Sequence, residues 1–170
     1  VVTATKSLFN AHAHDESLAE TFSLISHALK LMNMRGMFMA LSLVRVENQS
    51  LRLTCAGMPP LFIYRAATGQ VEEHLQKAVP LGSIKQYPYT EFTLEFHSGD
   101  LLLLMSDGLP ERFNADKEML GDDTIKRMLA DHGHTISPQA LIEKLLALGE
   151  DWAAGIPQDD DITLLVLKAR

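Results

Sequence analysis

The sequence predicts an α+β domain in which antiparallel sheet packs against helices. Three observations lead to this fold class. Apolar residues recur at helical spacing near both ends of the chain, next to residues that favour helix starts. Between them lie short apolar or alternating stretches separated by turn sequences, as in antiparallel strands. The run Leu101–Met105 is apolar throughout, which is typical of a strand covered on both faces.

Two helices are expected at the start of the chain. Residues 1–13 have helical character, and Ser17 with Glu20 three residues later indicates the start of a second helix. Gly36 should end this helix. Its apolar residues should form a buried stripe at Leu18, Phe22, Ile25, Leu29 and Met32. The neighbouring methionines, Met34, Met37 and Met39, are interpreted with Met32 as core filler.

The middle of the chain should form strands. They are expected over residues 37–47, 51–56, 61–64, 70–75, 89–96 and 101–105. Turn sequences at 48–50 and 67–69 predict hairpins. The second of these strands must end before Pro59, because proline cannot donate to a central ladder.

Helices return towards the end of the chain, followed by one more strand. Asp122 or Asp123 should cap a helix over residues 124–131. Ser137 is a favourable N-cap, with Pro138 at the first helical position. The buried stripe of that last helix should comprise Leu141, Leu145, Leu148 and Trp152. Residues 162–167 should form the final strand.

Composition limits the kinds of partner. The chain has 170 residues, which is about one domain, and a net charge of -7. An acidic chain lacks the basic face that neutralises phosphates, so nucleic acid is not expected as a partner. The single cysteine, Cys55, allows no internal disulfide. No apolar stretch reaches the length of a membrane span, so we expect the cytoplasm or the cytoplasmic side of a membrane-anchored sensor protein.

Two acidic turns adjoin apolar runs. Asp107 and Gly108 follow Leu101–Met105, and the aspartates at 159, 160 and 161 precede the apolar residues 164–167. An unpaired charge beside a buried strand is costly, and a divalent cation offsets that cost. Mg²⁺ and Mn²⁺ prefer such oxygen ligands. The alternatives are an ordinary turn aspartate at 107 and a solvated acidic loop at 159–161, where a structural Ca²⁺ site is a further option.

Four motifs occur along the chain in a characteristic order, and the last two contain the acidic turns. They are Cys-Ala-Gly-Met-Pro-Pro at 55–60, Val-Pro-Leu-Gly at 79–82, Gly-Asp through Ser-Asp-Gly to Glu at 99–111, and Asp-Asp-Ile-Thr at 160–163. In this combination the chain resembles the bacterial stage II sporulation protein E (SpoIIE) family, a branch of the metal-dependent phosphatases of the protein phosphatase 2C type. The resemblance covers nearly the whole chain.

The resemblance implies a fold, a site and a reaction. The fold would be the α-β-β-α sandwich of phosphatase 2C, with a central antiparallel β-sandwich flanked by helices. Asp107 and Asp160 would be ligands of one Mn²⁺ or Mg²⁺ within the family's two-metal site. The site would be shaped by Gly108, Asp161, Thr163 and Gly57. The reaction would be hydrolysis of phosphoserine or phosphothreonine on a protein, usually an anti-sigma-factor antagonist, with sigma-factor control as the result.

The sequence departs from the family pattern in two places. Met58 stands where the family usually has His. Two metal-binding motifs expected upstream, Gly-Asp-x-x-Asp and Asp-x-x-Gly-His-Gly, are not in residues 1–170. We therefore expect a partial phosphatase domain that lacks N-terminal strands and follows a sensor or regulatory domain. Its activity should be weak or absent, and self-association could cover an open sheet edge. The alternative is a non-catalytic, degenerate phosphatase fold that binds a partner protein.

Overall fold

The structure is a computed structural model that describes all residues, Val1–Arg170. It contains four α-helices and seven strands in two antiparallel sheets. The chain divides into two compact units. The first comprises Val1–Met58 and Gln76–Phe96, and the second comprises Pro59–Leu75 and His97–Arg170. The predicted mixture of helices and antiparallel sheet is confirmed.

The elements follow one another with helices at both ends of the chain. The helices are α1 (Val2–His12), α2 (Leu18–Leu31), α3 (Asp122–His132) and α4 (Pro138–Ala153). The strands are β1 (Leu41–Glu47), β2 (Ser50–Ala56), β3 (Leu61–Tyr64), β4 (Val71–His74), β5 (Phe92–Glu95), β6 (Leu101–Met105) and β7 (Leu164–Lys168). No helix combines the length and apolar character that a membrane crossing needs.

The first unit packs α1 and α2 with the sheet β1-β2-β5. Ser17 caps α2 as predicted, since its hydroxyl accepts a hydrogen bond from the Glu20 amide at 3.1 Å. The same helix start has a second acceptor that the sequence did not indicate. A carboxylate oxygen of Glu91 lies 2.7 Å from the Leu18 amide and 3.1 Å from the Ala19 amide. Glu91, the residue that precedes β5, thus ties the start of α2 to that strand.

The methionine prediction was wrong for Met32 and Met37, whereas Met39 is partly buried and packs against the core of the first unit. Met32 is 50% exposed and Met37 is 55% exposed, and β1 begins only at Leu41. The reason lies in the connection after α2, where Asn33 and Arg35 both adopt left-handed backbone conformations. These residues turn the chain into a surface loop, so Met37 extends neither the helical stripe of α2 nor β1.

The second unit contains the sheet β4-β3-β6-β7 with α3 and α4. Strand β6 is central, since Leu103 pairs with Phe62 on one side and with Val166 on the other. Leu101, Leu102 and Leu103 are fully buried, as the apolar run predicted. Ser137 caps α4 and accepts a hydrogen bond from the Ala140 amide at 3.2 Å, which confirms that prediction.

A buried carboxylate marks the start of β6. Asp100 is 2% exposed and accepts a hydrogen bond from Arg65 at 2.9 Å. It also accepts one from the Ala66 amide at 2.9 Å and one from the His97 amide at 3.1 Å. The charge is thus paired and hydrogen-bonded, which makes its burial tolerable. This arrangement joins the turn before β6 to the end of β3.

Several element boundaries differ from the predictions: α2 ends at Leu31 rather than at 36, β5 spans Phe92–Glu95 rather than 89–96, and two further differences lie in the second unit. Helix α3 begins at Asp122, and Gly121 occupies the N-cap position without a side-chain cap. Asp122 and Asp123 lie in the first turn, where carboxylates interact favourably with the helix dipole. Strand β7 begins at Leu164 rather than at 162, because the ladder with β6 starts with the pair of Met105 and Leu164.

Candidate metal centre

The first acidic turn follows directly from the burial of β6. The strand ends at Met105, and Leu109 and Pro110 are buried again a few residues later. The Glu111 amide donates to the carbonyl of Asp107 at 2.9 Å and closes a tight turn over residues 107–111. The Asp107 side chain is exposed. The turn therefore presents this carboxylate to solvent from the end of a rigid central strand.

The second acidic turn precedes β7. Asp159, Asp160 and Asp161 are all exposed. A carboxylate oxygen of Asp160 accepts a hydrogen bond from the Asp161 amide at 2.7 Å. The Gln158 side chain donates to the carbonyl of Asp160 at 2.7 Å. These local bonds fix the orientation of Asp160 and leave its second carboxylate oxygen without a hydrogen bond in the loop.

The structure brings the two turns together. The Ser106 amide donates to the carbonyl of Thr163 at 3.0 Å, and the Thr163 amide donates to the Ser106 hydroxyl at 2.9 Å. The same hydroxyl donates to the carbonyl of Asp161 at 3.0 Å. Thr163 contributes through its backbone, and its side chain is exposed.

Gly108 packs directly against the backbone of the second turn. A Cβ atom at this position would lie 2.5 Å from the carbonyl oxygen of Asp161 and 3.3 Å from that of Asp160. Backbone atoms cannot give way as the end of a flexible side chain does. Glycine is required here by the lack of space, and its absence of a side chain lets the Asp107 turn rest on the Asp160 loop.

A cavity of about 100 Å³ lies at this junction. Its lining residues are Gly108, Glu111, Arg112, Phe113, Asp159 and Asp160. Glu111 lines the cavity next to the first turn, and Asp159 and Asp160 line it from the second, whereas Asp107 is not among its lining residues. The sequence analysis identified Asp160 and Gly108 but gave no role to Arg112 or Phe113.

Gly57, the remaining residue of the predicted site, belongs to the first unit. Its φ is +65°, a left-handed conformation that favours glycine. A Cβ atom at position 57 would lie 2.6 Å from Cγ of Pro80. The Gly57 amide donates to the carbonyl of Ala78 at 2.9 Å. Gly57 thus allows the turn after β2 to pack on the Pro-Leu-Gly turn.

The donor chemistry of the two turns fits a hard divalent cation. Carboxylate and carbonyl oxygens are the ligands that Mg²⁺ and Mn²⁺ prefer, and Mg²⁺ is commonly held by one or two carboxylates with several waters. No group of three or more His, Cys, Asp or Glu side chains is arranged to hold a metal ion. Asp107 and Asp160 are the two carboxylates predicted from the sequence as ligands, and two carboxylates would leave much of an ion's coordination sphere to water.

Solved structures with a similar fold include phosphatase domains. The SiaA-PP2C domain of Pseudomonas aeruginosa matches with a TM-score of 0.83 at 21% identity, over 99% of this chain and 67% of that one. The SpoIIE phosphatase domain of Bacillus subtilis matches with a TM-score of 0.67 at 23% identity, over 98% and 73%. The Mycobacterium tuberculosis serine/threonine phosphatase PstP/Ppp matches with a TM-score of 0.68 at 18% identity, over 99% and 82%.

These likenesses define the class of fold, which is that of the phosphatase 2C-like domains. The family model for stage II sporulation protein E (SpoIIE) matches residues 1–170. The chain therefore belongs to the SpoIIE family, and the resemblance seen in its motifs is confirmed. No curated protein matches the sequence.

Proposed function

We propose that this chain is a metal-dependent protein phosphatase domain that hydrolyses phosphoserine or phosphothreonine. Asp107 and Asp160 are the proposed ligands of Mn²⁺ or Mg²⁺. The observation that carries the proposal is the fit of Gly108 against the carbonyls of Asp160 and Asp161, with 2.5 Å between a Cβ at 108 and the Asp161 oxygen. Packing two exposed acidic turns together brings like charges close to each other, and a cation bound between them would offset that cost.

The residues of the chain have separate tasks in this proposal. Asp107 and Asp160 supply oxygen ligands, and Gly108, Asp161 and Thr163 hold the two turns in contact. Gly57 shapes the turn after β2 in the first unit. A bound divalent cation would neutralise charge on the phosphoryl oxygens and activate a water for attack. Because the carboxylates are few, we propose that metal binding and activity are weak.

The proposed substrate is a phosphorylated protein of the anti-sigma-factor antagonist class, and the proposed role is control of a sigma factor. Membership of the SpoIIE family supports this substrate class. The likeness to a serine/threonine phosphatase supports the choice of phosphorylated residue. A regulatory or sensor domain is proposed as a further partner, as is a second copy of this chain.

The experiment is a Mn²⁺ titration of the chain by calorimetry, together with phosphate release from a phosphoserine protein. Asp107→Asn and Asp160→Asn should each weaken Mn²⁺ binding at least about tenfold, because each removes a charged ligand. The matched control is Asp131→Asn, which changes an exposed aspartate of α3 and should leave binding unchanged.

Two outcomes would contradict the proposal. If the chain bound no Mn²⁺ and released no phosphate, the alternative of a non-catalytic phosphatase fold that binds a partner protein would be favoured. If Ca²⁺ bound and Asp107→Asn had no effect, residues 159–161 would form a structural Ca²⁺ site instead.

A further inference from the structure

We infer that Arg112 is a positioning residue for the proposed metal centre. Its guanidinium fixes the loop that carries Asp160 against the turn that carries Asp107. This inference rests on the proposed function, because it assigns Arg112 a task in arranging the same site. Arg112 is not proposed as a metal ligand, since a guanidinium has no acceptor to offer.

Arg112 is unusually buried for an arginine in a turn. The residue is 6% exposed, although its neighbours Glu111 and Phe113 are exposed. One terminal nitrogen of the guanidinium donates to the carbonyl of Ile156 at 3.0 Å. The same nitrogen lies 3.5 Å from a carboxylate oxygen of Glu150, a residue near the end of α4. The side chain therefore reaches from the first turn to the segment between α4 and β7.

The Asp160 loop is thereby held at both ends by residues that flank Asp107. Ser106, just before Asp107, binds the carbonyl of Asp161. Arg112, five residues after Asp107, binds the carbonyl of Ile156. Residues 107–111 and 157–160 lie between these two attachments. If either attachment is lost, one end of the Asp160 loop is free to move relative to Asp107.

The hydrogen bonding of Arg112 indicates that it positions the Asp160 loop rather than stabilising the fold as a whole. Its Nε is buried and has no hydrogen-bond partner. A buried donor without an acceptor costs stability, as does burying the charge itself. An apolar side chain of similar length should therefore be tolerated by the fold. Such a side chain cannot replace the hydrogen bond to the Ile156 carbonyl. Its main effect should therefore be a displaced or more mobile Asp160 loop rather than a less stable fold.

The test compares Arg112→Met and Arg112→Lys with the wild-type chain. Methionine keeps an unbranched stem but removes the donors, and lysine keeps the charge without the planar fork. Arg127→Met is the matched control, because Arg127 is exposed on α3. The readouts are the Mn²⁺ dissociation constant, the melting temperature without metal, and backbone hydrogen exchange of residues 156–161 without metal.

We expect Arg112→Met to weaken Mn²⁺ binding about tenfold, the usual effect of removing a residue that orients metal ligands. Exchange at 156–161 should become faster in the metal-free protein, as local opening requires. Arg112→Lys should give a smaller change in both measurements, and Arg127→Met should change neither. The readings on residues 156–161 do not depend on metal binding.

The outcomes are separable from those of the proposed function. A wild-type chain that bound no Mn²⁺ would contradict the metal site, and the exchange data would still decide whether Arg112 holds the loop. Unchanged exchange at 156–161 in Arg112→Met would overturn the inference. So would a lower melting temperature with an unchanged Mn²⁺ dissociation constant, since that pattern describes a purely structural residue.

Discussion

Ser106 and Thr163 form two hydrogen bonds with each other at the point where β6 and β7 separate. The Ser106 amide donates to the Thr163 carbonyl at 3.0 Å, and the Ser106 hydroxyl accepts from the Thr163 amide at 2.9 Å. The Ser106 hydroxyl thus accepts the hydrogen bond that a backbone carbonyl would accept if the β6–β7 ladder continued by one residue. The backbone after Ser106 can therefore leave the ladder and turn towards Asp107.

Ser106→Ala should destabilise the chain by about 1–2 kcal/mol. The change leaves the Thr163 amide and the Asp161 carbonyl without their shared partner, and each net hydrogen bond contributes about 1 kcal/mol. Urea denaturation measures the free energy of unfolding. Ser98→Ala, at an exposed position, is the control and should change it by less than about 0.5 kcal/mol. Equal effects for the two variants would contradict the role given to Ser106.

Gly108→Ala should destabilise the chain and weaken Mn²⁺ binding together. Its Cβ would lie 2.5 Å from the Asp161 carbonyl oxygen, so the two acidic turns must separate. The cost of such overpacking is about 1–3 kcal/mol.

Gly149→Ala is the matched comparison for that variant. The new Cβ there would lie 2.9 Å from Cδ1 of Leu109, the end of a flexible side chain, and alanine favours the helix. We expect Gly149→Ala to lower the free energy of unfolding clearly less than Gly108→Ala in chemical denaturation, and to leave Mn²⁺ affinity unchanged. A milder effect for Gly108→Ala than for Gly149→Ala would contradict the packing argument.

Glu72→Gln should lower stability at neutral pH and have less effect in acid. The Arg65 guanidinium, 2.6 Å away, holds the pKa of the Glu72 carboxyl below its usual value of 4.5. A lowered pKa in the folded state means that the ionised carboxylate stabilises the fold at higher pH. This contribution is lost as the pH falls from about 4.5 through the lowered pKa.

The Glu72 carboxylate is 41% exposed, so solvent screening limits its contribution to below about 1 kcal/mol. The measurement is the free energy of unfolding from pH 7 to pH 3 for wild type and variant. Glu143→Gln, on the exposed side of α4, is the control and should give a constant small difference. A difference in unfolding free energy between wild type and Glu72→Gln that increased towards pH 3 would contradict this prediction.

Glu91→Ala should destabilise the first unit by about 1 kcal/mol. Its carboxylate accepts hydrogen bonds from the Leu18 and Ala19 amides, which α2 itself cannot satisfy. The effect should be read from thermal unfolding with Glu143→Ala as the control. Hydrogen exchange at Leu18 and Ala19 should quicken in Glu91→Ala, and unchanged protection there would argue against this capping role.

Local sequence signals predicted the elements well, because their causes are local. Ser17 and Ser137 cap the helices they were expected to cap, since a serine hydroxyl needs an amide only three residues away. The exposed methionines were mispredicted because helical spacing does not reveal the left-handed turn at Asn33 and Arg35. Apolar character alone does not determine burial once the chain has left the helix.

The candidate site depended more on distant contacts. The sequence paired the two acidic turns as candidates for a cation, but only the family resemblance assigned Asp107 and Asp160 to the same metal, and their turns meet through Gly108. Arg112 was not recognised, because its partner Ile156 lies 44 residues further along the chain. An arginine beside a turn ordinarily indicates a solvated side chain, and nothing nearby in the sequence indicates otherwise. Such contacts need the fold itself to bring them together.

The enclosure of β6 has a consequence for how an ion would be received. Residues 101–103 are fully buried between two hydrogen-bonded neighbours, so this strand opens only when its unit opens. The Asp107 turn is therefore preorganised whether or not a cation is present. Little ordering of this turn would accompany ion binding, and the ion would mainly exchange bound water for carboxylate oxygens whose positions are already fixed. Selectivity among divalent ions would then depend on the distances between those oxygens.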